Sequence, residues 1–395
     1  MTICEKPISY HQLMRMIRDE QQSGKGIDFL AVAMTSWHVM GVLSVLLRLY
    51  DTKKITKGII VIERYYELGW AVSEELFSLL NDRDIQVVRL MDLPKLSQKD
   101  FLHWAAGTPK KRTGNECYCI VPQVPMPLIA RDLEKLFSKR GVVHVIIDEG
   151  LGTYTRSVWG FVHLCTGDLR NWGERFNVAA EWTQRYAAKA VLSCAHRLID
   201  CNLFRRLPLH IRINAPAISA YRRMYRAMGA GIDFSQYAHY ENAIIISGQA
   251  YTSSGVMYKN EDIAALREIC AHCRAKGIPV IIKPHPREMH RERYQPLLDM
   301  GCLLELNQQY PMELILANLK EKPLGIVGMT STPLITAKLF WDIPTYSIAG
   351  LLRPQNMRKD LRKEMDSFRR KFRKYVKMIK EPAEAAGYRR HGGFV

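Results

Sequence analysis

The segment Lys283-Pro284-His285-Pro286 follows the apolar run Ile278-Pro279-Val280-Ile281-Ile282, so a proline-bracketed histidine ends a short buried strand. Proline fixes its own φ and pushes the residue before it towards extended geometry. The imidazole of His285 is therefore held rigidly at the carboxyl end of a strand, where open α/β sheets bind ligands. Histidine titrates near 6.5 when unperturbed, so His285 can stand as a cation beside a phosphate and give it a proton. A buried histidine bonded to a backbone carbonyl is the plainer reading. Lys283, a second basic group beside it, weighs against that.

Two further strand ends carry reactive groups. Val142-Val143-His144-Val145-Ile146-Ile147 runs into Asp148-Glu149-Gly150, and Leu324-Gly325-Ile326-Val327-Gly328-Met329 runs into Thr330-Ser331-Thr332. Neighbouring residues on an extended chain point opposite ways, so one acid of the Asp148/Glu149 pair faces a cleft while the other anchors the loop. A partly desolvated carboxylate has a raised pKa and can take a proton from an attacking hydroxyl. A helix cap or an ion pair would use the same residues. The hydroxyls of Thr330, Ser331 and Thr332 precede a helical run, and such a helix start binds anions unless the side chains serve only as caps. Ser247-Gly248-Gln249 ends another strand and offers a close backbone approach to a ligand. Glu313, in Tyr310-Pro311-Met312-Glu313-Leu314, opens a helix and can accept ribose hydroxyls or complement the helix dipole.

Positioning these groups requires parallel strands. Apolar strands fit residues 29–34, 58–62, 85–90, 118–121 and 142–147, with helical patterns at 39–50, 71–81 and 128–139 between them. A helical stretch over 176–204 leads to an interdomain region around 207–240. A second alternation places strands at 243–247, 279–283, 303–306, 324–327 and 345–347, and helices at 261–276, 288–299, 311–318 and 333–340. Strands separated by helices of this length imply right-handed βαβ units. The expected fold is α/β, with two Rossmann-like doubly wound domains facing a central cleft as in GT-B glycosyltransferases, and a basic C-terminal helix. Residues 1–225 would form the N-terminal domain, 226–350 the C-terminal domain and 351–395 the basic helix and tail. A single large Rossmann-like domain with insertions is the alternative. Neither G-x-G-x-x-G nor G-x-x-x-x-G-K-[ST] occurs, which argues against dinucleotide oxidoreductases and P-loop NTPases.

At 395 residues and 47% apolar content the chain fits two globular domains. Its nine cysteines are odd in number and irregular in spacing, so free and mostly buried thiols in a reducing cytoplasm are expected, with no metal. The first 22 residues lack the apolar core of a signal peptide, and no apolar run reaches the roughly 18 residues that span a bilayer. Charge is lopsided. Fifty-seven Lys and Arg against 39 Asp and Glu give +18, and residues 351–395 alone hold 14 basic and 5 acidic side chains. There Leu361, Met365, Phe368, Phe372, Tyr375, Met378 and Ile379 recur at helical spacing. Such a helix packs one apolar stripe on the body and offers a cationic face to polyanions or acidic headgroups, peripherally on the cytoplasmic side of an inner membrane.

Asp148-Glu149-Gly150, Lys283-Pro284-His285-Pro286 and Thr330-Ser331-Thr332 resemble, in order, the D/E-D/E-G, H-P and S/T motifs of bacterial sialyltransferases. The nearest branch is the capsule polysialyltransferases, with lipooligosaccharide sialyltransferases as relatives. The resemblance implies an inverting, metal-independent, cofactor-free GT-B transferase that moves sialic acid from CMP-sialic acid to an anionic glycan acceptor in capsule or surface polysaccharide synthesis. It implies Glu149 as base, with Asp148 the second choice, and His285 as the group that stabilises or protonates the departing phosphate. Ser331 and Thr332, with Thr330, would bind the phosphate. Lys283 would approach the cytosine and Glu313 the ribose, with the acceptor on residues 1–225 and the nucleotide sugar on residues 226–350. Pro286, Gly248 and Gln249, at the same strand ends, are further candidate substrate contacts. Ser36 and His38, after the first strand, stand where relatives place Ser/Thr and His substrate contacts. A transferase using CMP-Kdo or CDP-glycerol is the alternative. A nucleic-acid-binding role has only the charge in its favour, since no RNP, zinc-finger or helix-turn-helix pattern occurs.

Overall fold

Runs such as Phe29-Leu30-Ala31-Val32-Ala33 and Ile244-Ile245-Ile246 are apolar without alternation, which suits strands buried on both faces of a parallel sheet. In the computed structural model they become the central strands of two such sheets. The structure describes residues 2–387 except 5, 25, 53, 54, 64–76, 78, 81, 82, 92, 93, 95, 107–115, 123–125, 138–140, 149, 151–153, 155–179, 181, 182, 185, 186, 194–197, 207–210, 230, 231, 252–256, 259, 286, 287, 289, 308 and 309. Two units result, Met1–Thr153 with Ser157–Met228, and Tyr154–Arg156 with Gly229–Val395.

The first unit holds strands β1 (Thr2–Ile3), β2 (Phe29–Ala33), β3 (Lys57–Glu63), β4 (Asp84–Leu90), β5 (Cys117–Pro122), β6 (Val142–Ile147) and β7 (Leu198–Cys201) in the order β1-β4-β3-β2-β5-β6-β7. Every pairing in it is parallel. Counted from β2, the six longer strands follow the doubly wound order 3-2-1-4-5-6, whose direction reverses between β2 and β5. Helices α1 (Tyr10–Gln22), α2 (Ser36–Thr52), α3 (Gln98–Ala106) and α4 (Met126–Leu136) accompany this sheet. One core cluster gathers Leu13 and Ile17 of α1, Val32, Val61 and Val121 of the sheet, and Ile129 and Leu133 of α4. A short antiparallel pair, β8 (Phe204–Arg206) with β9 (Ile211–Ile213), and helix α5 (Ala215–Gly229) follow.

The second unit repeats the plan. Strands β10 (Ile244–Ser247), β11 (Val280–Lys283), β12 (Leu303–Leu304), β13 (Gly325–Gly328), β14 (Thr345–Ser347) and β15 (Lys377–Met378) lie in the order β12-β11-β10-β13-β14-β15, again all parallel. This is 3-2-1-4-5-6 once more, with the reversal between β10 and β13. Helices α6 (Glu261–Ala275), α7 (Gln295–Leu298), α8 (Met312–Asn318), α9 (Thr332–Trp341) and α10 (Lys359–Phe372) join the strands.

Three expectations need correction. The helix expected over 176–204 ends earlier, because Leu198-Ile199-Asp200-Cys201 adds to the sheet beside β6 and Phe204 opens β8. The basic C-terminal helix stops at Phe372, and Lys377 and Met378, read as helical, pair with β14 instead. The helix expected at 288–299 is a 3-10 turn, Arg291–Tyr294, followed by the four residues of α7. The helix expected at 71–81 lies largely outside the described residues. The described cysteines are free thiols, and all but Cys4 are buried.

Candidate functional site

Strand register in the second unit brings three motifs side by side. Ser247 of β10 pairs with Lys283 of β11 on one flank and with Gly328 of β13 on the other. The loops leaving these strands are therefore Gly248-Gln249, Pro284-His285 and Met329-Thr330-Ser331, gathered at the reversal of strand order. Open α/β sheets bind ligands at that point.

Gly248 shows why the first loop needs glycine. Its N–H donates to Lys283 O at 2.9 Å. A Cβ there would stand 2.5 Å from the Tyr294 hydroxyl, 3.0 Å from Pro284 Cα and 3.2 Å from His285 N. The missing side chain lets the His-Pro turn close over β10. A buried arginine stiffens the same corner. Arg293 Nη1 donates to Glu288 Oε2 at 2.9 Å and to Gln249 O at 3.3 Å, and Nη2 meets both oxygens of Asp262 at 2.7 Å. Glu288 N in turn donates to His285 O at 2.8 Å. Bidentate, buried geometry of this kind fixes orientation strongly. His285 itself is half-buried, and Pro286 lies outside the described residues.

The hydroxyl cluster divides by role. Thr330 N donates to Gln249 Oε1 at 2.9 Å, and its Oγ1 lies 2.7 Å from the Tyr251 hydroxyl. Gln249 Nε2 donates to that hydroxyl at 3.3 Å, so the side chain of Gln249 bridges two loops. Ser331 occupies the N-cap position of α9 but makes no side-chain capping bond. Its Oγ is buried without a hydrogen-bond partner among the described residues, and the residue is only 7% exposed. Gly328 leaves room for it, since a Cβ there would come within 3.1 Å of that oxygen. Thr332 forms the first turn of α9 and is half-buried.

Lys283 and Glu313 face inward. Lys283 Nζ donates to Asn307 O at 3.4 Å, and burial lowers its pKa to about 8 against the opposing pull of Glu305 and Glu313. Glu313 accepts from Thr336 Oγ1 at 2.8 Å, and burial raises its pKa while Lys283 opposes the rise. Both side chains are more than nine-tenths buried.

In the first unit Asp148 is fully buried at the end of β6. Its Oδ1 accepts Gly150 N at 2.6 Å and its Oδ2 accepts Leu203 N at 2.9 Å. Gly150 has φ of +93°, a conformation that only glycine adopts freely. This is the geometry of an anchor. Glu149 lies outside the described residues. At the start of α2, Thr35 Oγ1 accepts His38 N and His38 Nδ1 accepts Met34 N, each at 3.2 Å. Burial pushes the His38 pKa down to about 3, so its ring is neutral with the proton on Nε2. Ser36 is half-buried in the same turn. Among the described residues no three His, Cys, Asp or Glu side chains are grouped so as to hold a metal ion.

Sequence reading missed Tyr251, Arg293 and Glu364, a buried acid on α10 that accepts from the Tyr251 hydroxyl at 3.2 Å. Tyr251 lies two residues beyond Gln249, the one hint available in the sequence.

The family model for alpha-2,8-polysialyltransferases matches residues 116–349. That span is more than half of the chain and carries all three motifs, and the protein belongs to this family. It is a glycosyltransferase of the sialyltransferase type. No curated protein matches the chain. Among solved structures, a sialyltransferase from Photobacterium damsela shares 10% identity over 90% of this chain and 82% of its own, with a TM-score of 0.47. A 2,6-sialyltransferase from another Photobacterium, solved with CMP and lactose, shares 10% over 89% and 78%, with a TM-score of 0.48. The UDP-GlcNAc 2-epimerase of Methanocaldococcus jannaschii shares 11% over 92% and 94%, with a TM-score of 0.47. Likenesses this distant carry no argument about donor or acceptor.

Proposed function

We propose that the protein transfers sialic acid from CMP-sialic acid to a sialylated glycan, with inversion at the anomeric carbon, and extends a surface or capsular polysaccharide. The observation that carries this reading is Ser331 Oγ, a buried hydroxyl with no partner among the described residues, at a helix N-terminus and on the switch point beside the His285 turn. Backbone N–H groups and a helix dipole favour an anion there, and the hydroxyl adds a donor. A nucleoside monophosphate leaving group supplies that anion. Attack by the acceptor hydroxyl forms the new C–O bond as the bond from the anomeric carbon to the CMP phosphate breaks. Glu149 takes the hydroxyl proton. His285 and Ser331 stabilise the negative charge that grows on the phosphate, and His285 donates its proton to it. Asp148, bonded to Gly150 N and Leu203 N, anchors the end of β6. Lys283 and Glu313 form a buried pair under the nucleotide, and Gln249 fixes Thr330. No step calls for a metal or cofactor.

Anionic donor, acceptor and product suit a chain of net charge +18. We place the enzyme in the cytoplasm, where nucleotide sugars are made, with the outward face of α10 available to acidic headgroups. No helix among the described residues is long and apolar enough to cross a membrane. The test is a donor screen by mass spectrometry. Purified protein is incubated in EDTA with CMP-sialic acid, CMP-Kdo, CDP-glycerol or UDP-sugars, with and without a sialylated oligosaccharide. CMP release coupled to added sialyl units is the expected result. Turnover of another donor alone would overturn the donor assignment.

A further inference from the structure

The C-terminal helix, outside the span that the family model matches, reaches the proposed phosphate site through one carboxylate. Helix α10 carries Arg362, Lys363, Arg369 and Arg370 on its exposed face, while Leu361, Met365, Phe368 and Phe372 are buried. Glu364 is a charged side chain on the buried side, only 9% exposed, whereas Asp366 of the same helix is exposed. Its Oε1 accepts from the Tyr251 hydroxyl at 3.2 Å, and that hydroxyl lies 2.7 Å from Thr330 Oγ1.

Proton counting orders this chain. A carboxylate only accepts, and a tyrosine hydroxyl has a single proton to give. Tyr251 therefore donates to Glu364 and accepts from Gln249 Nε2 and from Thr330 Oγ1. The proton of Thr330 is committed inward, away from any anion, whereas the proton of Ser331 Oγ is taken by no described residue. Thr330 is held twice, at its N–H by Gln249 and at its hydroxyl by Tyr251. It directly precedes Ser331 and the first turn of α9.

We propose that Glu364 is a positioning residue for the nucleotide phosphate. Through Tyr251 it fixes Thr330, and with it the turn that presents Ser331 and the α9 N–H groups. This role of Glu364 rests on the donor reading above only for the identity of the ligand.

The test uses the full chain and the variants Glu364→Ala, Glu364→Gln, Tyr251→Phe and the double variant Tyr251→Phe/Glu364→Ala. CMP affinity is measured by calorimetry, amide exchange at Thr330 by mass spectrometry, and Tm in parallel. Loss of one hydrogen bond to a charged group should weaken CMP binding about tenfold in Glu364→Ala and in Tyr251→Phe. Exchange at Thr330 should speed up in both. The double variant should be no worse than the weaker single one, because both act through one chain of bonds. Gln keeps an acceptor oxygen and should recover most of the affinity that Ala loses. Folded Glu364→Ala with wild-type affinity and exchange would overturn the proposal, as would a Gln variant as weak as Ala. Should Glu364→Ala fail to fold, Tyr251→Phe, which removes a single oxygen, decides by the same readouts. Should the wild type not bind CMP, the donor reading falls, and the exchange comparison still decides the role of Glu364.

Discussion

Asp148 Oδ2 accepts the backbone N–H of Leu203 at 2.9 Å, a bond that ties the end of β6 to the segment between β7 and β8. With Gly150 N on its other oxygen, the carboxylate is engaged on both sides by the main chain. The two acids of the Asp-Glu-Gly motif should therefore fail differently. Asp148→Asn swaps one acceptor oxygen for a donor facing an N–H, and should cost roughly 1–3 kcal/mol of stability, read as a fall in Tm. Glu149→Gln should abolish transfer while the Tm and CMP affinity hold. A Glu149→Gln variant with wild-type turnover would sink the choice of base.

His285 should separate chemistry from folding. Its ring is half-buried, and Gly248, Glu288 and Arg293 hold the turn around it through bonds that its replacement leaves in place. His285→Ala should lower kcat by about 100-fold or more, the usual worth of a positioned proton donor. Circular dichroism and Tm should stay at wild-type values. Retained turnover would remove His285 from the mechanism.

Ser331→Ala should move stability and binding in opposite directions. The Oγ is buried without a partner among the described residues, so deleting it removes a polar group that those residues leave unsatisfied. Stability should hold or rise by up to about 1 kcal/mol. CMP affinity should fall about tenfold, measurable by calorimetry. A loss of stability with unchanged affinity would contradict the assignment.

Lys283 gives a pH signature. Its folded pKa of about 8 lies below the 10.5 of a free lysine, with burial as the main cause. Between these values the unfolded chain binds more protons, so the contribution of Lys283 to stability rises with pH. It is complete above 10.5 and lost as pH falls through 8. Urea unfolding of wild type and Lys283→Met at both ends of that window should show the gap moving in favour of the wild type by up to about 3 kcal/mol. A constant gap would mean that the buried amine titrates normally.

The strands were legible because a parallel sheet demands unbroken apolar runs, and 29–33, 117–122, 244–247 and 280–283 supply them within a residue or two of the expected bounds. The reactive motifs were legible for a related reason: each stands where such a run stops. Pairing was not. Nothing in a linear pattern says that Tyr251 meets Glu364 across 113 residues, or that Arg293 is buried against Asp262 and Glu288 rather than solvated. Residues 377 and 378 continued a helical spacing yet joined a sheet, because the open edge of β14 satisfies their backbone better than one more helical turn. Asp148 and Glu149 were separable only in kind; which one anchors follows from the N–H of Leu203, 55 residues away.

Among the described residues, three of the four margins of the two larger sheets are strands of two residues, Thr2–Ile3, Leu303–Leu304 and Lys377–Met378. A margin that short offers almost no ladder of free N–H and C=O groups, and Lys377 adds a solvated charge to one of them. Neither sheet is suited to recruiting a strand from a neighbouring molecule along those margins. Those three margins are thereby guarded against edge-to-edge pairing, even when copies crowd along the polymer they are proposed to lengthen.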